Sequence, residues 1–224
     1  MKDTDSQDYW QRDSAKFSSH YGPQANRFSL KQLVGSFLNA RTRYLLAMAA
    51  VGPDDSVLDV GCGSGVHVKL FSPRCRSIVG IDYSSQMIAA AEDHCRDLPT
   101  RNWDFRVGDA NALPFPDASF DCILSMGLLD YVASPQRVLE ECHRVLKATG
   151  RIVFTAPKRP TLTFFLHTSF GDVLRDKLLD LPPIRSSFTA SELASLLRVA
   201  KYHPQCVRSV WTAIWIVKAS KEEH

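Results

Sequence analysis

Asp59, Gly61, Gly63, Gly65 and Asp82 are the residues whose types and spacing could do chemistry in this chain. Four of them lie in the run VLDVGCGSG, Val57 to Gly65, where an apolar strand passes an acid and breaks into alternating glycines. Val57, Leu58 and Val60 suit a strand buried on both faces. The glycines permit positive φ and remove Cβ atoms that would hold a bulky ligand away. A helix beginning near Ser64 would aim its unpaired N–H groups at whatever sits over the turn. The next apolar strand, Ser77 to Ile81, ends in Asp82, about 20 residues after the first glycine, the spacing at which a carboxylate reaches a ribose diol. The pattern points to an adenosine-containing cofactor.

The elements that must position these residues alternate along the chain. Strand-like Ile78 to Ile81 is followed by helical Ser84 to Cys95. Then come strand-like Phe105 to Val107, strand-like Phe120 to Ser125 with helical Ser134 to Lys147, and strand-like Arg151 to Thr155. Such alternation predicts a parallel sheet flanked by helices. Ser134-Pro135 supplies an N-cap and a first-turn proline, and Thr189 to Glu192 has the form of a capping box. Cys206 to Val210 and Trp211 to Val217 read as two strands too close for a helical crossover, so they should pair antiparallel at a sheet edge. Ahead of the glycine run, Arg27 to Ala50 is amphipathic and stops at Gly52-Pro53. The polar segment Tyr9 to Phe28 carries Trp10, Phe17, His20 and Tyr21, which either close over a pocket or staple the arm to the domain. The division expected is an N-terminal helical arm over 1–50 and an α/β core over 51–224. Pro157 to Ser187, rich in proline and aromatics, forms an insertion over the site.

A Gly-x-Gly turn after a buried strand serves both nicotinamide enzymes and methyl donors. The third glycine of a dinucleotide fingerprint would fall at Val66, and a long helical prelude precedes the strand; both count against a nicotinamide cofactor. A nucleotide-triphosphate loop is excluded, because no Gly-Lys-Ser/Thr follows the glycines.

With VLDVGCGSG, IVGIDYSSQMI, VGDANALPFPDASFD and HRVLKATGRIVFTAP in this order, the chain resembles the class I S-adenosylmethionine-dependent methyltransferases, from about Val57 through Val217. Lys147-Ala148-Thr149-Gly150 departs from the family's usual proline and paired glycines. GLLDYVASPQRVL and the aromatic insertion look like small-molecule methyltransferases, including those acting on quinone and porphyrin precursors. The resemblance implies a Rossmann-like seven-stranded, mostly parallel sheet with helices on both faces and an antiparallel C-terminal strand. It implies S-adenosylmethionine as cofactor, with close backbone approach at Gly61, Gly63 and Gly65. Asp59 would hold the amino-acid tail's ammonium, Asp82 the ribose hydroxyls, and Asp109 the adenine amino group, with Ala110 N–H at the ring edge. Tyr83 and Met87 would sandwich the adenine, and Ser125 and Met126 would line the transfer path. Arg43 either pairs with the cofactor carboxylate or is solvated on a polar helix face, and Asp109 could equally be a solvated turn residue.

Methyl transfer from a sulfonium is an in-line displacement, so proximity in a water-poor site does most of the work, and a base is needed only for a protonated acceptor. Asp130 and Tyr131, just past the fourth strand, and His167 in the insertion are the candidate bases. Asp130 and Tyr131 could instead cap and pack the next helix, and His167 could be an exposed loop histidine. The expected acceptor is a small apolar or aromatic metabolite methylated at oxygen. The alternatives are an RNA-modifying methyltransferase, for which Lys158, Arg159, Arg175 and Lys177 make only a thin basic face, and a nicotinamide oxidoreductase.

The bulk properties fit this reading. A chain of 224 residues with 45% apolar and 23% charged residues is globular and long enough for one domain. A net charge of +3 is too small to imply a nucleic-acid partner. The polar, acidic start MKDTDSQDYW and the lack of an apolar run of about 18 residues lead to the expectation of a soluble, cytoplasmic protein without a membrane span. Six scattered cysteines without a C-x-x-C pair argue against a metal or disulfide framework. Oligomeric state is not encoded in any of these features.

Overall fold

The computed structural model describes residues 41–159, 185–210 and 214–222. The aromatic arm and the insertion residues Phe164, Phe165, His167 and Phe170 lie outside them. Helical residues 41–49 (α1) lead to strand β1 (Ser56–Val60), the short helix α2 (Val66–Phe71), β2 (Ser77–Asp82), helix α3 (Ser85–Cys95), β3 (Trp103–Val107) and β4 (Phe120–Ser125). Helix α4 (Pro135–Val145), β5 (Leu146–Pro157), helix α5 (Ala190–Val199), β6 (Tyr202–Val210) and β7 (Ile214–Lys221) complete the order.

The seven strands form one sheet in the order β3-β2-β1-β4-β5-β7-β6. β1 to β5 pair parallel, while β7 runs antiparallel to both β5 and β6. The last two strands do pair antiparallel, but the final strand inserts between its predecessor and the rest of the sheet. β6 is therefore the edge strand, which lets it begin at Tyr202, earlier than expected, because Pro204 and a bulge before Cys206 are tolerated there.

Alternation of side chains divides the core into two layers. On one face Leu58, Val60, Ile123, Phe154 and Val217 pack with Leu139 and Val145 of α4 and Leu193 and Leu197 of α5. On the other, Val57, Ile78, Leu124, Val153 and Ile216 pack with Leu45 of α1, Val68 of α2 and Ile88 of α3. Removing one such side chain to alanine costs roughly 2 to 5 kcal/mol. The caps at Ser134 and Thr189 fall where the sequence puts them, and Ser84 supplies a third. Ser84 Oγ accepts from Met87 N at 3.2 Å, Ser134 Oγ from Arg137 N at 3.4 Å, and Thr189 and Glu192 close a reciprocal box.

Among the boundaries that differ from the sequence reading, two more have a clear physical cause. α2 starts at Val66 rather than near Ser64, because Gly63 and Gly65 both hold positive φ, which no helical turn accepts. Lys147 leaves α4 for β5, and the 147–150 turn is absorbed as a bulge between the pairs Phe120–Leu146 and Cys122–Arg151. That turn lies at the amino ends of the parallel strands, away from the glycine run. Five of the six cysteines are buried and all are free thiols, and the described residues contain no cluster suited to a metal. No helix among them is long and apolar enough to cross a membrane.

Candidate functional site

The glycine turn follows β1 and is stapled to β2 by Gly61 N and Cys62 N, which donate to Ile81 O at 2.8 and 3.0 Å. Gly61, Gly63 and Gly65 take φ of 73°, 51° and 74°. Their shared conformation hides different roles. A Cβ on Gly61 would meet Leu128 at 3.1 Å, and one on Gly65 would meet Phe105 Cζ at 2.8 Å and Ala91 at 3.0 Å, whereas one on Gly63 would meet nothing within 4 Å. Only Gly63 presents bare backbone to open space; the other two are small because protein packs against them.

Two carboxylates flank this opening. Asp82 Oδ2 accepts from Gly63 N and Oδ1 from Ser84 N, each at 2.9 Å. Burial pushes its carboxyl above the usual carboxylate range, and those two N–H groups pull it back. Asp59 is fully buried, and neither of its oxygens has a hydrogen-bond partner among the described residues. A buried carboxylate without partners is costly unless a cation or donor arrives, so Asp59 suits a ligand carrying an ammonium group. His67 Nδ1 lies 3.6 Å from Asp59 Oδ2, too far for a hydrogen bond. The six-residue α2 is too short for its dipole to govern the site.

Asp109 follows β3, and its Oδ1 accepts from Asn111 N and Asn111 Nδ2, both at 2.9 Å, with Ala110 half-buried beside it. This turn is held by α4. Glu141 Oε2 accepts from Leu113 N at 2.9 Å, while Arg144 donates to Leu113 O and Phe115 O at 2.8 Å and to Glu141 Oε2 at 2.8 Å. Arg137 Nε adds a bond to Asn111 O at 3.1 Å. The Arg144 guanidinium holds the Glu141 carboxyl below its ordinary range. This clamp was missed in sequence; Arg137, Glu141 and Arg144 at helical spacing were its only signal.

At the carboxyl end of β4, Ser125 is 1% exposed with an unpartnered Oγ, and Met126 is 7% exposed. Gly127 N donates to Thr155 Oγ1 at 2.8 Å, tying this turn to β5. Asp130 Oδ1 is buried without a partner, and burial pushes its pKa up to about 7 against the opposing charge of Arg41. Asp130 O accepts from Arg185 N at 2.7 Å, and Tyr131 N donates to Leu128 O at 3.0 Å. From Arg185 the chain runs to Phe188, whose O accepts from Trp215 Nε1 at 2.9 Å. Leu128, Val132, Phe188 and Trp215 are half-buried apolar residues packed against this end of the core.

Three further sequence expectations stand as follows. Arg43 is exposed on α1; the arginine that faces Asp130 and the Gly127 turn is Arg41, whose Nε is buried without a partner. Helical spacing carried the signal, since Arg41 precedes buried Leu45 by one turn and Arg43 does not. Met87 is only 2% exposed, leaving little surface for a stacked ring, while Tyr83 is 41% exposed. His167 lies outside the described residues.

Comparison with known proteins agrees with this geometry. A methyltransferase domain family matches residues 58–154. A demethylmenaquinone methyltransferase of Tropheryma whipplei is 33% identical over 157 residues, covering 68% of this chain; the chain spans 64% of that relative's length. Among solved structures, a magnesium protoporphyrin IX methyltransferase from Synechocystis with bound SAH superimposes with a TM-score of 0.75 at 15% identity, covering 99% of this chain and all of that one (100%). The [4+2]-cyclase SpnF superimposes with a TM-score of 0.76 at 20% identity, covering 98% of this chain and 97% of its own. The fold is thus shared by proteins of different activity. Sequence match, sheet order and the glycine turn between two acids converge: residues 58–154 match a methyltransferase domain, and relatives and fold together support the class I S-adenosylmethionine-dependent methyltransferase superfamily, with S-adenosylmethionine as the cofactor.

Proposed function

We propose that this protein methylates a hydroxyl oxygen of a small apolar or aromatic acceptor. The observation that carries the reading is the Asp130 carboxyl beyond β4, whose Oδ1 is buried without a partner and whose pKa burial pushes up to about 7. A base so placed can hold or release a proton at neutral pH. When bound, S-adenosylmethionine supplies an electrophilic methyl group on a sulfonium.

The chain's own residues do the rest. Asp59 holds the ammonium of the amino-acid tail, Asp82 the ribose hydroxyls, and Asp109 with Ala110 the adenine edge. Tyr83 covers the ring, and Gly63 allows close approach. Arg41 keeps the pKa of Asp130 from rising further and stabilises negative charge near it. Asp130 takes the hydroxyl proton, with Tyr131 and His167 as the other candidates. Leu128, Val132, Phe188 and Trp215 favour an apolar acceptor and exclude water from the displacement. The names of relatives acting on demethylmenaquinone and magnesium protoporphyrin IX support a small-molecule acceptor of this kind.

The test uses cofactor with a labelled methyl group and a panel of hydroquinones, catechols, aromatic acids, amines and mixed RNA. Label on an oxygen of a phenol or acid is expected. Transfer to nitrogen or carbon alone would overturn the O-methylation reading, and transfer to RNA alone the small-molecule reading.

A further inference from the structure

We propose that His67 is a positioning residue for Asp59, and that its protonated imidazole competes with the ammonium of the cofactor's amino-acid tail, so that cofactor binding expels a proton. The inference rests on the placement of that tail at Asp59.

Asp59 sits on β1 with both oxygens buried and unpartnered, and the single cation-forming side chain in ion-pair range among the described residues is His67, with Nδ1 3.6 Å from Oδ2. His67 is itself 7% exposed, on the first turn of α2, directly after the glycine turn. An imidazole changes charge between about pH 5 and 8. Protonated, it neutralises Asp59 and draws the carboxylate toward α2. Neutral, it leaves Asp59 a full negative charge to offer a ligand.

The surroundings sharpen the competition. Asp82 on β2 is near enough to Asp59 for the two charges to repel, and the Cys62 thiol of the turn feels both acids. The floor of the turn therefore carries two carboxylates and one imidazole. Other charged groups around α2 are engaged elsewhere. Lys69 Nζ donates to His94 O at 2.9 Å, His94 Nδ1 bonds Ser64 O at 3.0 Å, and Arg74 Nη1 donates to Leu70 O. The Cys95 thiol of α3 faces Gly65 O. An arriving ammonium replaces the imidazolium as counter-ion, and the imidazole loses its proton to solvent.

S-adenosylhomocysteine is the probe, because it keeps the ammonium tail and lacks the sulfonium. Calorimetry from pH 5.5 to 8, in buffers of different ionisation heat, reads affinity and protons together. Wild-type affinity is expected to fall about tenfold toward pH 5.5, with up to one proton released per site. His67→Gln should lose the slope and the proton, whereas His94→Gln should keep both. A histidine-selective NMR titration of the unmodified protein, with and without probe, needs no variant and should show the His67 titration displaced downward on binding. A wild-type slope surviving in His67→Gln, or an unmoved His67 titration, overturns the inference while leaving the cofactor site intact. Failure of the probe to bind at any pH overturns the placement of the tail, and the inference with it.

Discussion

Asp82 and Gly63 are joined across the opening: the carboxylate at the end of β2 accepts the N–H of the glycine that faces open space, at 2.9 Å. One side chain thus both shapes the turn and borders its opening. The second oxygen holds Ser84 N at 2.9 Å, and the carboxylate still has lone-pair capacity for a ribose hydroxyl. We predict that Asp82→Ala weakens S-adenosylhomocysteine binding by about 1.5 to 3 kcal/mol, since a charged acceptor is lost. Calorimetry with folding checked by circular dichroism decides it; unchanged affinity in a folded variant would refute the assignment.

The glycines should separate by experiment. Gly63→Ala meets no atom and bears only the positive-φ strain, about 1 to 2 kcal/mol, yet it should weaken cofactor binding at least tenfold. Gly65→Ala adds a clash with Phe105 and Ala91 and should destabilise by about 2 kcal/mol or more. Urea melts alongside binding isotherms distinguish the two. Equal effects on both measurements would contradict this division.

Under the proposed function, Asp130 links activity to stability in opposite senses. Its folded pKa of about 7 lies above the ordinary carboxyl value, so its neutral form supports the fold at low pH, and that support fades as pH rises through about 7. Asp130→Asn should therefore raise the melting temperature at pH 8, with the gain vanishing near pH 4. Turnover should fall about 10²- to 10⁴-fold, while the wild-type rate climbs to a plateau above about pH 7. Melting curves and a pH–rate profile check both halves.

Arg41 and Arg43 differ by two positions and should differ in effect. Arg41→Ala removes the positive charge that opposes the burial of Asp130, so the midpoint of the pH–rate profile should move upward. Arg43→Ala should leave turnover within about threefold, because its side chain is exposed. Identical profiles for the two variants would show that neither arginine serves the site.

The clamp on the Asp109 turn gives a stability prediction with a functional echo. Arg144→Ala breaks an ion pair to Glu141, which is 6% exposed, and two bonds to backbone carbonyls; Arg144 itself is 32% exposed, so the cost should be about 2 to 3 kcal/mol, below that of a fully buried pair. Hydrogen exchange over residues 109–117 should rise. Unchanged protection there would mean that α4 does not hold the turn.

The sequence by itself determined the strand–turn–strand with its glycines and acids, the parallel alternation, and the capped starts of α4 and α5. These are local: a buried strand needs a continuous apolar run, a cap needs one hydroxyl at one position, and a turn at positive φ needs glycine. Tertiary structure decided what each glycine faces, since Leu128 and Phe105 come from distant segments to fill two of the three sites. It turned Arg41 rather than Arg43 toward Asp130, because packing of Leu45 and Ala49 fixes which side of α1 faces inward. It also placed β7 between β5 and β6 and brought Glu141 and Arg144 under the Asp109 turn. Pairing across the sheet and contacts between separate elements depend on burial summed over the whole core, which no window of neighbouring residues contains.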